Sequence, residues 1–296
     1  MKLIFLGTSS MVPTKERNHT SQILLYEDEG ILIDCGEGTQ RQLKFARIKP
    51  SKITKILITH WHGDHVFGLP GLMQTLGSEE YSGTLKIYGP KGSKKNFENI
   101  MKAFLIETRI DYEVHEVVSD IFFESHDFYL KAMPLYHSVP CLGYRFQEKE
   151  KRKINMGVAR KLGIPEGPLL GKIQRGKEIV VDGKTVQPNE LSKIVKGKSI
   201  CFIFDTKLTK NSIALAENCD LLVCESTFAS EHEEKAGKYK HLTAKQAALI
   251  ANNANVKKLV LTHFSQRYKN TQEIEEEASE IFDNVITAQD LMVLTL

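Results

Sequence analysis

Between Thr59 and Val66 the chain reads Thr-His-Trp-His-Gly-Asp-His-Val, which sets three imidazoles and a carboxylate at His60, His62, Asp64 and His65. A strand-like run, Lys55–Thr59, leads into this string, and Val66–Leu76 beyond it has the length and spacing of a helix. Histidine is the commonest zinc ligand, and sites built from histidine and carboxylate without thiolate tend to be catalytic rather than structural. Four such groups on one turn can point into a single hollow, but a turn cannot wrap them round one ion. Two ions sharing the hollow fit better, at the roughly 3.5–4 Å spacing of two-metal hydrolases. The bland alternative, a surface histidine cluster, fits poorly with so many ligand types packed between a strand and a helix.

The rest of the chain has to supply a core for that hollow. Its 296 residues are 41% apolar and 26% charged, which excludes wholesale disorder, collagen and coiled coil. Apolar runs such as Leu3–Leu6 are too short to cross a membrane, and Met1–Leu6 reads as a first strand rather than a signal-peptide core. Cys35, Cys141, Cys201, Cys219 and Cys224 are odd in number and contain no C-x-x-C pair. Reduced, buried thiols and a soluble, cytoplasmic protein are the expectation.

Strand-like runs dominate the first half: Lys2–Leu6, Gln22–Tyr26, Ile31–Asp34, Leu85–Tyr88, Tyr112–Val117, Phe128–Leu135 and Gly143–Phe146, with a helix over Ser93–Phe104. The rhythm returns at Ser199–Phe204, Leu221–Cys224, Lys258–Leu261 and Met292–Leu296, with helices over Ala244–Asn252 and Thr271–Phe282. This pattern predicts packed sheets flanked by helices in one domain spanning 1–296, broken once by an excursion over 148–198. The excursion carries 13 Lys/Arg against 6 Asp/Glu, an excess of +7 that leaves the body at −4. Within it, Asn155–Gly163 predicts a short basic helix, and the proline- and glycine-rich Gly163–Gly171 predicts neither helix interior nor central strand. Such a segment is either a solvated surface excursion or an arm that attracts a polyanion.

The string H-x-H-x-D-H after a strand resembles the metallo-β-lactamase superfamily, which implies an αββα sandwich with a metal site at its edge. It implies further ligands downstream, each at the end of an apolar run: His137 after Pro134-Leu135-Tyr136, Asp205 after Cys201–Phe204, and His263 after Leu259–Thr262. The implied assignment puts His60, His62 and His137 on one zinc, Asp64, His65 and His263 on a second, and Asp205 between them. Two Zn2+ per subunit would acidify a water shared between the ions, and Asp64 could orient the resulting hydroxide or take its proton.

Four further segments are similar to ribonuclease Z, the endonuclease that removes 3′ trailers from tRNA precursors. Pro13-Thr14-Lys15-Glu16-Arg17-Asn18 matches the family's P-x-K-x-R-N loop, and Lys15 and Arg17 could reach phosphates from it. Asp34-Cys35-Gly36-Glu37-Gly38-Thr39-Gln40 resembles D-C-G-E-G-T-Q, a tight strand-to-helix turn in which Asp34 could support the site. Cys224-Glu225-Ser226-Thr227 and His241-Leu242-Thr243 resemble the H-E-A-T and H-S-T loops. The implied roles are catalytic: Glu225 orients His241, which protonates the leaving 3′ oxygen. The sequence departs from the pattern at Cys224, where the family has His, and at Leu242, where it has Ser; this puts the loop geometry in question.

The fourth segment, Gly163–Gly171 with Gly176, resembles the family's Gly-Pro exosite and implies RNA contacts through Gly167 and Pro168. A basic arm suits tRNA on physical grounds, because A-form RNA is held mostly by shape and backbone. Ser265, Arg267 and Tyr268 match an F-S-x-R-Y stretch, with Arg267 a candidate phosphate contact. Phe204 stands where the family often has a small residue and is expected to pack in the core. The resemblance implies a precursor-tRNA substrate, cleavage after the discriminator base to leave a 3′-hydroxyl, and a homodimer. Two alternatives stay open: a hydrolase of another phosphodiester or ester, and a tRNA-binding protein with a vestigial metal site.

Overall fold

The computed structural model describes residues 1–105 and 109–296. Six strands run first: β1 (Lys2–Gly7), β2 (Ser21–Tyr26), β3 (Glu29–Ile33), β4 (Ile53–Leu57), β5 (Thr84–Gly89) and β6 (Asp111–Glu116). Next come β7 (Asp120–Glu124), β8 (Phe128–Leu135) and β9 (Cys141–Glu148). The short β10 (Lys151–Ile154), β11 (Ile179–Val181), β12 (Lys184–Val186) and β13 (Ser192–Val195) follow. The chain ends with β14 (Ser199–Ile203), β15 (Leu221–Glu225), β16 (Leu259–Thr262), β17 (Val285–Thr287) and β18 (Val293–Thr295).

These strands make two seven-stranded sheets, in the orders β18-β1-β2-β3-β4-β5-β6 and β17-β16-β15-β14-β9-β8-β7. Each sheet is antiparallel on one side and parallel on the other, with the change of direction at β3–β4 in the first and β9–β14 in the second. Period-2 alternation decides which side chains face which layer. Leu3 and Phe5 of β1 enter the apolar layer between the sheets, whereas Ile4 and Leu6 face outward. Ile200 and Phe202 of β14 do likewise against Cys201 and Ile203.

The outward faces are covered by helices. On the first sheet lie α1 (Thr39–Phe45), α2 (Gly63–Val66), α3 (Leu69–Ser78) and α4 (Ser93–Lys102), which share the cluster of Ile4, Leu32, Ile56, Leu72 and Phe97. Then come α5 (Met156–Lys161), α6 (Pro168–Gln174), α7 (Pro188–Leu191), α8 (Lys210–Ala216), α9 (Glu233–Tyr239), α10 (Ala244–Asn253) and α11 (Gln272–Ser279). Of these, α8, α10 and α11 cover the second sheet through Leu215, Ala247, Ile250 and Ile274. The result is the expected αββα sandwich. Among the described residues no helix is long and apolar enough to cross a membrane. All five cysteines are free and buried, and burial pushes the Cys35 thiol up to about 12, so thiolate chemistry is suppressed.

Two local expectations shift. The helix predicted over Val66–Leu76 is divided into α2 and α3 by Phe67 and Gly68. A Cβ on Gly68 would lie 2.1 Å from the Gly36 carbonyl oxygen, so only glycine lets this turn approach the loop after β3. The segment Gly163–Gly171, read as non-helical, contributes the start of α6. Pro168 sits in the first turn of α6, where its missing N–H costs nothing, and Gly171 is accommodated inside a helix of only seven residues. Residues 151–195 form β10–β13 and α5–α7 around a small cluster of their own, including Ala159, Ile173, Ile179 and Leu191. The β10–β13 pair connects this cluster to β9 and β14.

Candidate metal centre

Every ligand-type residue predicted downstream of the string follows a strand of the sandwich. His60 and His62 follow β4, Asp64 and His65 lie in α2, His137 follows β8, Asp205 follows β14 and His263 follows β16. Their polar atoms converge in two groups, His60–His62–His137–Asp205 and Asp64–His65–His263, each with ligand atoms within 4.8 Å of one another. In the first, His60 Nε2 lies 3.0 Å from His62 Nδ1, and His137 Nε2 lies 3.2 Å from the same atom. In the second, the Nε2 atoms of His65 and His263 are 3.3 Å apart, and Asp64 Oδ2 is 3.5 Å and 3.7 Å from them.

Asp205 spans the two. Its Oδ2 is 3.5 Å from His60 Nε2, and its Oδ1 is 3.4 Å from His65 Nε2 and 3.2 Å from His263 Nε2. This carboxylate is almost fully buried, yet Oδ1 has no hydrogen-bond partner. Buried carboxylates without partners are costly. Imidazole lone pairs facing one another across 3 Å repel unless a proton or a cation lies between them. The donor set therefore fits a pair of divalent cations: nitrogen and oxygen ligands, no thiolate, and one carboxylate able to touch both ions.

The remaining ring nitrogens are fixed from behind. His65 Nδ1 lies 2.7 Å from Asp34 Oδ2, and Asp34 also accepts from the Thr59 amide and hydroxyl, both at 2.7 Å. Thr59 Oγ1 in turn lies 3.1 Å from His60 Nδ1. His137 Nδ1 faces the Lys240 carbonyl at 3.1 Å, and His263 Nδ1 faces Thr227 Oγ1 at 2.9 Å. Engaging Nδ1 in each ring leaves Nε2 to face the hollow, which is how protein sites set the tautomer of a metal-binding histidine. Asp34, Asp205 and His263 all have positive φ, at 55°, 32° and 61°. Non-glycine residues held there store backbone strain.

Beside the second group lies an acid pair. Glu225, at the end of β15, is fully buried and accepts from the Thr206 amide at 2.7 Å and from the Thr227 hydroxyl at 2.6 Å. His241 Nδ1 sits 3.1 Å from Glu225 Oε2. Burial alone would lower the imidazole, but Glu225 and Asp205 outweigh it and raise His241 to about 9. Asp64 moves the other way: its burial is outweighed by His65 and His263, and its carboxyl is held well below the usual range. Cys224 and Leu242, the two departures from the family pattern, are both fully buried in the helix-covered core beyond the second sheet. They sit behind the pair without displacing it. Phe204 packs between the sheets as expected, and Trp61 donates to Ser93 Oγ at 2.7 Å on the flank of α4.

These groups line one cleft of about 630 Å³. Its lining includes the exposed apolar side chains of Met11, Val12 and Phe67 and the basic Lys235, Lys238 and Arg267. Arg267 lies with its guanidinium carbon 5.2 Å from the centre of the Phe228 ring. Lys15 is exposed on the 13–18 loop, and Gly167 and Pro168 are exposed at the start of α6, where none of the three lines the cleft. Arg17 differs from the phosphate-reaching side chain read from the sequence. It is buried, and its guanidinium donates to the carbonyls of Tyr268 and Ser265, joining the 13–18 loop to the loop after β16.

Sequence reasoning missed three residues of this region. Thr227 connects Glu225 to His263, and Lys240 grips His137 from both sides, since its Nζ also donates to the His137 carbonyl at 3.2 Å. Asp290, between β17 and β18, accepts from Thr8 Oγ1, the Asn18 amide and Gln42 Nε2 at 2.7, 2.7 and 2.9 Å. Burial raises Asp290 to about 6, with these donors and Arg17 pulling the other way. A carboxyl raised from 3.8 to about 6 gives stability that is full below pH 4 and lost as pH rises through 6. Asp290→Asn removes that loss, so its Tm relative to the parent should climb by about 5 °C between pH 4 and pH 8. Parallel Tm profiles for the two proteins would contradict it.

Ribonuclease Z of Methanothermobacter thermautotrophicus is 43% identical over 99% of this chain and 96% of its own. Ribonuclease Z of Bacillus subtilis is 40% identical over 99% of this chain and 98% of its own. The chain belongs to the ribonuclease Z family. It is accordingly an endoribonuclease, a phosphodiester hydrolase of the metallo-β-lactamase fold. The crystal structure of human tRNase Z, short form, superposes with a TM-score of 0.75 at 30% identity, covering 100% of this chain and 99% of that one. The metallo-β-lactamase fold protein YhfI from Bacillus subtilis, 19% identical with a TM-score of 0.72 over 99% and 98% of the two chains, shares the fold. A family model described as Anti-Pycsar protein Apyc1 matches residues 1–143, from β1 into β9.

Proposed function

We propose that this ribonuclease Z-family chain is a zinc-dependent endoribonuclease that removes the 3′ trailer from precursor tRNA in the cytoplasm. Cleavage after the discriminator base leaves a tRNA 3′-hydroxyl. The observation that carries the reading is Asp205 set between two histidine-rich groups with the Glu225–His241 pair on the same cleft. His60, His62 and His137 would hold one ion, Asp64, His65 and His263 the other, and Asp205 both. Bound zinc supplies Lewis acidity, making water acidic enough to attack near neutral pH and neutralising charge on the phosphoryl group.

The chain's own groups do the rest. Asp64 stays ionised beside His65 and His263 and orients the attacking water, accepting its hydrogen bond. His241, held protonated by Glu225, delivers its proton to the departing 3′ oxygen, which as an alkoxide is a poor leaving group. Thr227 couples the two ends of this machinery, because its hydroxyl touches both Glu225 and His263.

The segment 148–198 is our candidate for an RNA-holding arm, with Gly167 and Pro168 at its exposed turn, and Arg267 on the cleft wall and the exposed Lys15 of the 13–18 loop are further candidate contacts. The arm's +7 charge suits phosphate contacts that gain from counterion release and read no sequence. A homodimer would let one subunit's arm present RNA to the cleft of the other. The test is cleavage of an end-labelled precursor tRNA with and without chelator, with the new ends mapped. A chelator-sensitive cut after the discriminator, leaving a 3′-hydroxyl, is expected. Two ions per chain with no cut would favour hydrolysis of another phosphodiester.

A further inference from the structure

We propose that Asp290 is a positioning residue that holds the 13–18 loop in place at the rim of the cleft; this rests on the precursor-tRNA reading above. The loop has no strand or helix of its own between β1 and β2, so something outside it must hold it. Its internal hydrogen bonds, from the Thr14 amide to the Arg17 carbonyl and from the Arg17 amide to Thr14 Oγ1, only close the turn on itself. Beside the bond from Asn18 Nδ2 to the Glu37 carbonyl at 2.7 Å, two long-range ties fix it to the sandwich. One is Arg17, whose guanidinium donates to the Ser265 and Tyr268 carbonyls. The other is Asp290, which takes the Asn18 amide at 2.7 Å.

The two ties depend on each other. Arg17 is buried without an ion-pair partner within 4 Å among the described residues, and its Nε has no hydrogen-bond partner. Asp290 supplies the leading negative charge that opposes the cost of burying Arg17. One Asp290 carboxylate thus acts on two adjacent residues at the C-terminal end of the loop, on Asn18 by hydrogen bond and on Arg17 by charge. It also joins the loop to β1 through Thr8 and to α1 through Gln42, whose Nε2 reaches the Leu6 carbonyl as well. Asp290 touches none of the seven ligand-type residues, so its effect passes through the loop and not through the metals.

The experiment compares the parent enzyme with Asp290→Ala and Asp290→Asn on precursor tRNA, on bis(p-nitrophenyl) phosphate and in limited trypsin digestion. On the precursor-tRNA reading the RNA extends over the loop, whereas the small diester is confined to the cleft, whose lining excludes residues 13–18. Asp290→Ala should raise the KM for precursor tRNA roughly tenfold with kcat within about threefold, as expected for losing hydrogen bonds to a charged group. Turnover of the small diester and bound metal should be unchanged, and trypsin should cut after Lys15 or Arg17 several times faster. Asn keeps an acceptor for Asn18 and Gln42, so Asp290→Asn should recover most of the RNA affinity. Equal trypsin rates in parent and alanine variant would overturn the inference, as would parallel losses on both substrates. Failure of the substrate reading looks different: the parent itself would cut the small diester and leave precursor tRNA intact, with the trypsin comparison still deciding the role of Asp290.

Discussion

Asp205→Ala should reduce precursor cleavage by about a thousandfold or more. Among the described residues Asp205 is the one whose two carboxylate oxygens face different histidine groups, Oδ2 toward His60 and Oδ1 toward His65 and His263. On the proposed assignment, removing it would take away the ligand shared by the two ions and leave the converging imidazoles without their central negative charge. Metal content after dialysis should fall below two per chain while the fold persists, because Asp205 lies at the sheet edge and its neighbour Phe204 holds the apolar layer. Retention of two ions together with full activity in this variant would refute the proposed centre.

His241→Ala should cost about 10²–10⁴ in kcat on precursor tRNA, the range for a lost general acid. The diagnostic is its dependence on the leaving group. A 3′ ribose oxygen needs a proton as it departs, whereas p-nitrophenolate does not. The same variant should therefore hydrolyse bis(p-nitrophenyl) phosphate within a few-fold of the parent rate. Glu225→Gln should follow the same pattern more mildly, because an amide still positions the ring but no longer favours its charged form. Equal losses on the two substrates would mean that His241 supports the metal site and does not deliver a proton.

His60, His62, Asp64 and His65 were legible because they crowd the one segment that leads from β4 into α2, and His137, Asp205 and His263 because each follows an apolar strand, whose ends at one edge of a sandwich converge whatever connects them. Glu225 and His241 came from resemblance, and the structure brings them to 3.1 Å despite Cys224 and Leu242. What escaped depends on pairing across long sequence distances. Thr227 is an ordinary threonine until His263 arrives beside it, and Asp290 is an ordinary loop carboxylate until Asn18 and Gln42 point at it. Arg17 misled for the same reason: an arginine in a polar loop reads as exposed, but the loop after β16 offers its carbonyls. The break between α2 and α3 was hidden because the demand for glycine at position 68 comes from Gly36, a neighbour in space.

The pairing of β18 with β1, and of Asp290 with Asn18 across 272 positions, also sets a timetable. A ribosome delivers the His60–His65 string first and His263 much later, for the two partner histidines are 198 positions apart. At roughly 5–20 residues per second, that interval is about 10–40 s. During it the early imidazoles exist without Asp205, Glu225, His241 or the residue that steadies the 13–18 loop. On the proposed mechanism a growing chain would lack cleavage competence, even where its first half has already formed, until His263 and the strand that pairs with β1 have been made.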